Sequence, residues 1–182
     1  MKTVDEMIAD IIDREGGYND IDADRGGATN LGVSLRYAKG VGLDLDGDGD
    51  TDKDDIRLVT PDVAAALYRE DFFIDPRIDR LPDAVQPQVF DCAVNHGPPR
   101  AIMFVQTVIN LAGFGPVDVD GVLGPHTRRC AQEAQDEMGG LFSNAIMHER
   151  INFYRSIVAK DPEQRTFLKG WLNRAHEFEE AA

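Results

Sequence analysis

Twelve consecutive residues, Asp44-Leu45-Asp46-Gly47-Asp48-Gly49-Asp50-Thr51-Asp52-Lys53-Asp54-Asp55, contain seven aspartates and one lysine. No packed helix or strand accommodates like charge at that density, so the stretch must be a surface loop with regular structure built on either side of it. Counting from Asp44, acids fall at positions 1, 3 and 5, Gly49 at position 6 and Asp55 at position 12. That is the spacing of the EF-hand calcium loop, with Asp where Glu usually stands at the last position. Alternate side chains converge on a hard cation that takes about six to eight oxygens, and the glycine permits the sharp bend. A structural Ca²⁺ is therefore expected. Asp44, Asp46, Asp48 and Asp55 would supply carboxylate oxygens, Asp50 its backbone carbonyl, and Asp52 a carboxylate or a water. The alternative is a solvated acidic loop, in which seven carboxylates repel one another without a counter-ion.

Before this loop, Val4, Met7, Ile8, Ile11 and Ile12 recur at i, i+3, i+4, i+7 and i+8, one apolar face of a helix over residues 3–14. Glu15 stands at its end, followed by Gly16-Gly17, where glycine lets the chain leave the helix sharply. A helix C-terminus carries partial negative charge, so a carboxylate there serves stability poorly and is a candidate for chemistry. Asp24 and Thr29 lie nine and fourteen positions later, on either side of Gly26-Gly27. A glycine-rich turn or small hairpin over residues 15–34 can return both to the cleft that Glu15 faces. The plainer alternative is a solvated Glu beside a helix stop.

The remaining chain is predominantly helical. A short helical turn is expected at 36–39, and Thr60-Pro61 starts a helix to about Phe73 that Asp75-Pro76 closes. Pro82 opens another, whose face Val85, Val89, Cys92, Ala93 and His96 reaches Asn95-His96-Gly97-Pro98. Residues 99–111, with Ile102, Met103, Phe104, Val105, Val108, Ile109 and Leu111, read as a buried central helix. Residues 113–124 read as a loop in which Asp118 and Asp120 serve turn chemistry. Helices follow from Pro125 to about Met138, then to about Lys160 after Gly139-Gly140, and from Pro162 onward. Trp171 in the last is expected in core packing, with stacking on a sugar as the alternative.

Composition narrows the function classes. The chain has 182 residues, 42% hydrophobic and 29% charged, in the range of globular proteins, and lacks an apolar run of membrane-spanning length. A formal net charge of −14 argues against nucleic acid and anionic membranes as partners. The acids in Met1-Lys2-Thr3-Val4-Asp5-Glu6 are unlike a signal peptide. Cys92 and Cys130 lack metal-type spacing and are expected to be buried free thiols.

The strings Glu15-Gly16-Gly17-Tyr18-Asn19-Asp20 and Asp24-Arg25-Gly26-Gly27-Ala28-Thr29-Asn30-Leu31-Gly32 resemble the active-site signature of glycoside hydrolase family 108, N-acetylmuramidases of bacterial peptidoglycan. They are similar, more loosely, to phage endolysins of the lysozyme superfamily, in which the Thr lies one residue further on. Stretches 90–98, 119–127 and 150–174 resemble the rest of the family, whose C-terminal half is described as a predicted peptidoglycan-binding region. The resemblance implies a mainly α, lysozyme-like fold, with a catalytic lobe over 1–97 and a C-terminal helical lobe over 98–182. It implies Glu15 as general acid, Asp24 as base or electrostatic partner, Thr29 as a holder of water, and Tyr18, Asn30, Asn95 and His96 as substrate contacts. It further implies a monomeric phage-type endolysin acting on peptidoglycan strands, made without a leader and released through a holin or a secretion system. A lytic transglycosylase using the same Glu, and a non-catalytic calcium-stabilised wall-binding module, are the competing expectations.

Overall fold

Helix α1 (Val4–Glu15) begins with reciprocal capping: the Glu6 N–H donates to Thr3 Oγ1 at 3.2 Å and the Thr3 N–H to Glu6 Oε2 at 2.7 Å. Two donors that a helix start leaves orphaned are thereby satisfied. In the computed structural model, which describes residues 2–20 and 27–180 without the Glu15 side chain, the chain packs as two units, Thr3–Glu70 and Asp71 onward.

In the first unit, α1 is followed by a two-residue hairpin, β1 (Thr29–Asn30) and β2 (Val33–Ser34), paired antiparallel with Asn30 opposite Val33. Leu31 and Gly32 at its tip both have positive φ, 51° and 79°, as a type I′ turn demands. Helix α2 (Leu35–Val41) is capped by Ser34, and α3 (Lys53–Leu58) by Asp52. Helix α4 (Pro61–Arg69) starts at the Thr60-Pro61 signal and continues as a π-helical turn over Glu70–Ile74. Met7, Ile8, Ile11 and Ile12 of α1 are buried, as are Ala64 and Tyr68 of α4, and the two helices pack on each other. Ala28, Val33, Ala38 and Ile56 extend this core under the hairpin.

In the second unit a short 3-10 turn, Ile78–Arg80, leads to α5 (Gln86–His96). The helix begins later than Pro82 because residues 82–85 close a turn, Val85 N–H donating to the Pro82 carbonyl at 3.0 Å. Helix α6 (Pro98–Leu111) is buried through Ile102, Phe104, Val105, Val108 and Ile109. Leu111, expected in that core, lies on the solvent side of its final turn. Helices α7 (Pro125–Met138), α8 (Gly140–Lys160) and α9 (Arg165–His176) complete the bundle, with α8 packed on α5, α6, α7 and α9.

Two side-chain amides, the buried Gln106 and the exposed Asn110, organise the 113–124 loop. Asn110 bonds both the N–H and the carbonyl of Val117 at 2.8 Å, while Gln106 donates to Asp120 Oδ1 at 2.8 Å and accepts from Gly121 N–H at 2.9 Å. Asp120 is thus a turn residue. Cys92 and Cys130 are buried free thiols, and burial pushes Cys92 up to about 12, leaving it protonated and unreactive.

Candidate functional site

The end of α1 is tied to the hairpin by backbone. Gly16, at φ 70°, turns the chain out of the helix, and its carbonyl accepts from Leu31 N–H at 3.2 Å. Asn19 and Thr29 exchange two N–H to carbonyl bonds, each 2.8 Å. Such pairing holds facing residues about 5 Å apart, so Thr29 and the residues just after Glu15 are neighbours. Glu15 is the last residue of α1, though its side chain is outside the described set, as is all of Asp24.

Around this turn the structure gathers groups that carry no local sequence signal. The guanidinium of Arg57 lies over the Tyr18 ring, 5.0 Å from its centroid, and Tyr18 Oη donates to Asp20 Oδ2 at 3.4 Å. Asp20 also receives Lys53 Nζ at 2.9 Å, and this partner, first of all causes, holds its carboxyl below the usual carboxylate range. Arg57 in turn pairs with Asp54. Helix α3, hidden in sequence inside the acidic run, therefore brings two cations to the turn after Glu15, one of them against the Tyr18 ring.

Asn30, expected among the substrate contacts, has a structural task. It is buried, and its Nδ2 donates to the carbonyls of Ile56 at 2.9 Å and Val59 at 3.1 Å. Both amide hydrogens are spent on carbonyls at the C-terminal end of α3, where helix carbonyls run short of i+4 partners. Asn30 fastens the hairpin to α3.

The acidic loop is folded on its own backbone. Asp44 accepts from Gly47 N–H at 2.6 Å and Gly49 N–H at 3.0 Å, and buried Asp55 accepts from Leu45 at 2.6 Å and Asp52 at 2.8 Å. These N–H donors, Asp52 first, hold Asp55 ionised well below its ordinary range. The carboxylates form two groups of three, Asp44/Asp46/Asp48 and Asp50/Asp52/Asp55, each with its oxygens within 4.8 Å of one another. Asp46 is raised: the Asp48 N–H lowers it, but burial and the neighbouring carboxylates of Asp48, Asp55 and Asp44 outweigh that bond. Asp50 is raised chiefly by Asp48. The donor set is hard oxygen throughout and crowded with negative charge, which fits Ca²⁺.

Asn95 and His96 lie in the second unit, beside a buried ionic cluster. Asp91 receives Arg150 Nη2 at 2.6 Å and Arg174 Nη2 at 2.7 Å, and Asn95 Nδ2 donates to the Asp91 carbonyl at 2.6 Å. Arg150 Nε donates to Tyr154 Oη at 2.7 Å, so the Tyr154 hydroxyl is free to donate onward to His96 Nε2 at 3.0 Å. This assigns the His96 proton to Nδ1. Burial first, then the Arg150 charge, hold the imidazole down at about 4, neutral at physiological pH.

The described residues thus define a mainly helical protein with one small antiparallel hairpin at a helix-terminal acid, and with a separate aromatic and cationic cluster in its second unit. The chain carries a glycosyl hydrolase family 108 region: residues 8–97 match the family described as Glycosyl hydrolase 108, and residues 100–176 match the Predicted Peptidoglycan domain. It is a peptidoglycan-degrading glycosidase. It is similar to the solved structure of Brucella abortus SagA, with 26% identity over 97% of this chain and 95% of that one, and a TM-score of 0.65. No match is found among curated proteins. The two family matches meet between Gly97 and Arg100, whereas the packed units part after Glu70.

Proposed function

We propose that the chain is an endo-N-acetylmuramidase that hydrolyses the β-1,4 bond between N-acetylmuramic acid and N-acetylglucosamine, with Glu15 as general acid. The observation that supports it best is the backbone pairing of the turn after Glu15 with the hairpin that carries Thr29. Glycosidic cleavage needs a protonated carboxyl at the departing oxygen and a second group that activates water or stabilises the oxocarbenium-like sugar. Glu15 serves as the first, Asp24 as the second, and Thr29 orders the water. Tyr18, with Arg57 behind its ring, offers a flat face to an N-acetyl sugar.

Residues 44–55 would hold a Ca²⁺, whose charge would relieve the repulsion among their carboxylates and keep α3, and with it Lys53 and Arg57, at the turn. The protein would act as a monomeric, phage-type endolysin at the periplasm or wall, released there through a holin or a secretion system. Among the described residues no helix is long and apolar enough to cross a membrane.

Digestion of purified sacculi tests this reading. Wild type is expected to release reducing muropeptides, and Glu15→Gln, folded by circular dichroism, to lose roughly a hundredfold to ten-thousandfold in rate. Anhydro ends would make it a lytic transglycosylase. Binding of sacculi without any cleavage would make it a wall-binding module.

A further inference from the structure

A groove in the second unit, about 540 Å³, has no part in the chemistry above; its lining includes Asn95, His96, Gln164, Gly170, Trp171 and Arg174. Three independent features of it point to a ligand. One wall is aromatic: Trp171 and Tyr154 both line the groove and stack with centroids 5.3 Å apart, and Trp171 is backed outside it by Phe167 at 6.0 Å. Trp171 packs on the core with one side and lines the groove with another, so it is only partly the core residue its spacing suggests.

The second feature is charge. The buried cluster sets two guanidinium groups, Arg150 and Arg174, against the single carboxylate of Asp91. Arg150 Nη1 is buried without a hydrogen-bond partner. Arg174 spends Nε and Nη2 on Asp91, and its Nη1 bonds no group among the described residues. In a chain of net charge −14 this is a local cationic excess, beside a neutral His96 whose Nδ1–H is the ring's remaining donor. The Gln164 amide nitrogen is taken by Asp161, 3.1 Å away, leaving its Oε1 as an acceptor.

The third feature is Gly170, in the interior of α9. A glycine there costs about 1 kcal/mol of helix stability relative to alanine. Packing does not require it, since a Cβ at Gly170 would meet nothing within 4 Å. Its absent side chain instead keeps the groove open.

We propose that this groove is a subsite for muropeptides bearing a free stem-peptide carboxylate, with the sugar ring on Trp171 and the carboxylate received by Arg174 and His96. The inference rests on the peptidoglycan substrate proposed above, and adds that the second unit recognises the peptide's negative charge as well as the glycan. The Nη1 that Arg174 does not spend on Asp91 can donate to that carboxylate, and a hydrogen bond between charged partners is roughly twice as strong as a neutral one.

Calorimetry with the full chain tests it, using three soluble probes: a disaccharide-peptide with free carboxylates, the same compound with those carboxylates amidated, and the bare disaccharide. Wild type should bind the first about tenfold or more tighter than the other two. Gly170→Glu, which fills open space and improves helix propensity, should keep or raise Tm and lose that preference. Gly170→Ala should keep the preference. Equal binding of free and amidated probes, or unchanged binding by Gly170→Glu, would overturn the subsite. The companion sacculus digestion separates the two readings: cleavage by wild type with no carboxylate preference removes only the groove, whereas carboxylate-selective binding without cleavage removes only the hydrolase.

Discussion

His96 enters the folded state with its imidazole held at about 4 against an ordinary 6.5, so the unfolded chain binds more protons between those values. Its contribution to stability is complete above about pH 6.5 and is lost as pH falls through that window toward 4. Thermal melts across this range should show Tm rising with pH, and His96→Gln should flatten the slope; an unchanged slope would mean the ring titrates normally. Asp91 carries more weight, since it alone neutralises two guanidinium groups, one of them fully buried. Asp91→Asn should cost about 3–5 kcal/mol in denaturant unfolding, because it strands Arg150 without a counter-charge. Little of this was legible in the chain, as Asp91 and Arg150 stand 59 positions apart and neither neighbourhood is unusual. The position of Glu15 at the end of α1, with Thr29 brought back beside the turn, was legible, because a helix stop, two glycines and a returning Thr all fall within one short string.

Among the elements, the long helices follow their start and stop signals closely, from Thr60-Pro61 to Gly139-Gly140. Helix α3 escaped because its first turn is built from acids that the metal spacing already explained. Asp52 and Asp55 are also its reciprocal cap, and local side-chain bonding of this kind is indistinguishable in sequence from a ligand pattern. The task of Asn30 follows from α3 and was hidden with it. The hairpin beside the candidate acid keeps a leucine at φ 51°, a left-handed conformation that crowds its Cβ against the following carbonyl at a cost of about 1–2 kcal/mol. Leu31→Asn should therefore raise stability by about 0.5–1 kcal/mol. Backbone strain retained at such a turn commonly serves function. Sacculus cleavage by Leu31→Asn, measured with its unfolding free energy, shows whether the strain matters: a stabilised variant with full activity would make Leu31 a passive residue.

For the whole molecule the governing quantity is charge. Of the net −14, the twelve residues 44–55 contribute seven Asp against one Lys, a net −6, so nearly half the net charge sits in one short segment. Asp46 and Asp50 register it as carboxyls raised by their neighbours, meaning that ionising them at neutral pH opposes folding. Two agents relieve such repulsion in different ways. Sodium chloride screens every exposed charge, with a reach of about 8 Å at physiological ionic strength, and its effect on Tm grows without saturating sharply. A bound Ca²⁺ acts by mass action and saturates once the site fills. At matched ionic strength, Ca²⁺ should raise Tm along a saturating curve that NaCl does not reproduce, and Mg²⁺ should do less, since it dehydrates reluctantly and demands octahedral geometry. The double variant Asp46→Asn/Asp48→Asn removes two exposed charges from one of the carboxylate groups. It should melt higher than wild type in chelator and lower than wild type in saturating Ca²⁺. That crossing of the two curves cannot come from screening alone, and parallel curves would leave residues 44–55 a solvated acidic loop that positions α3 through its backbone bonds.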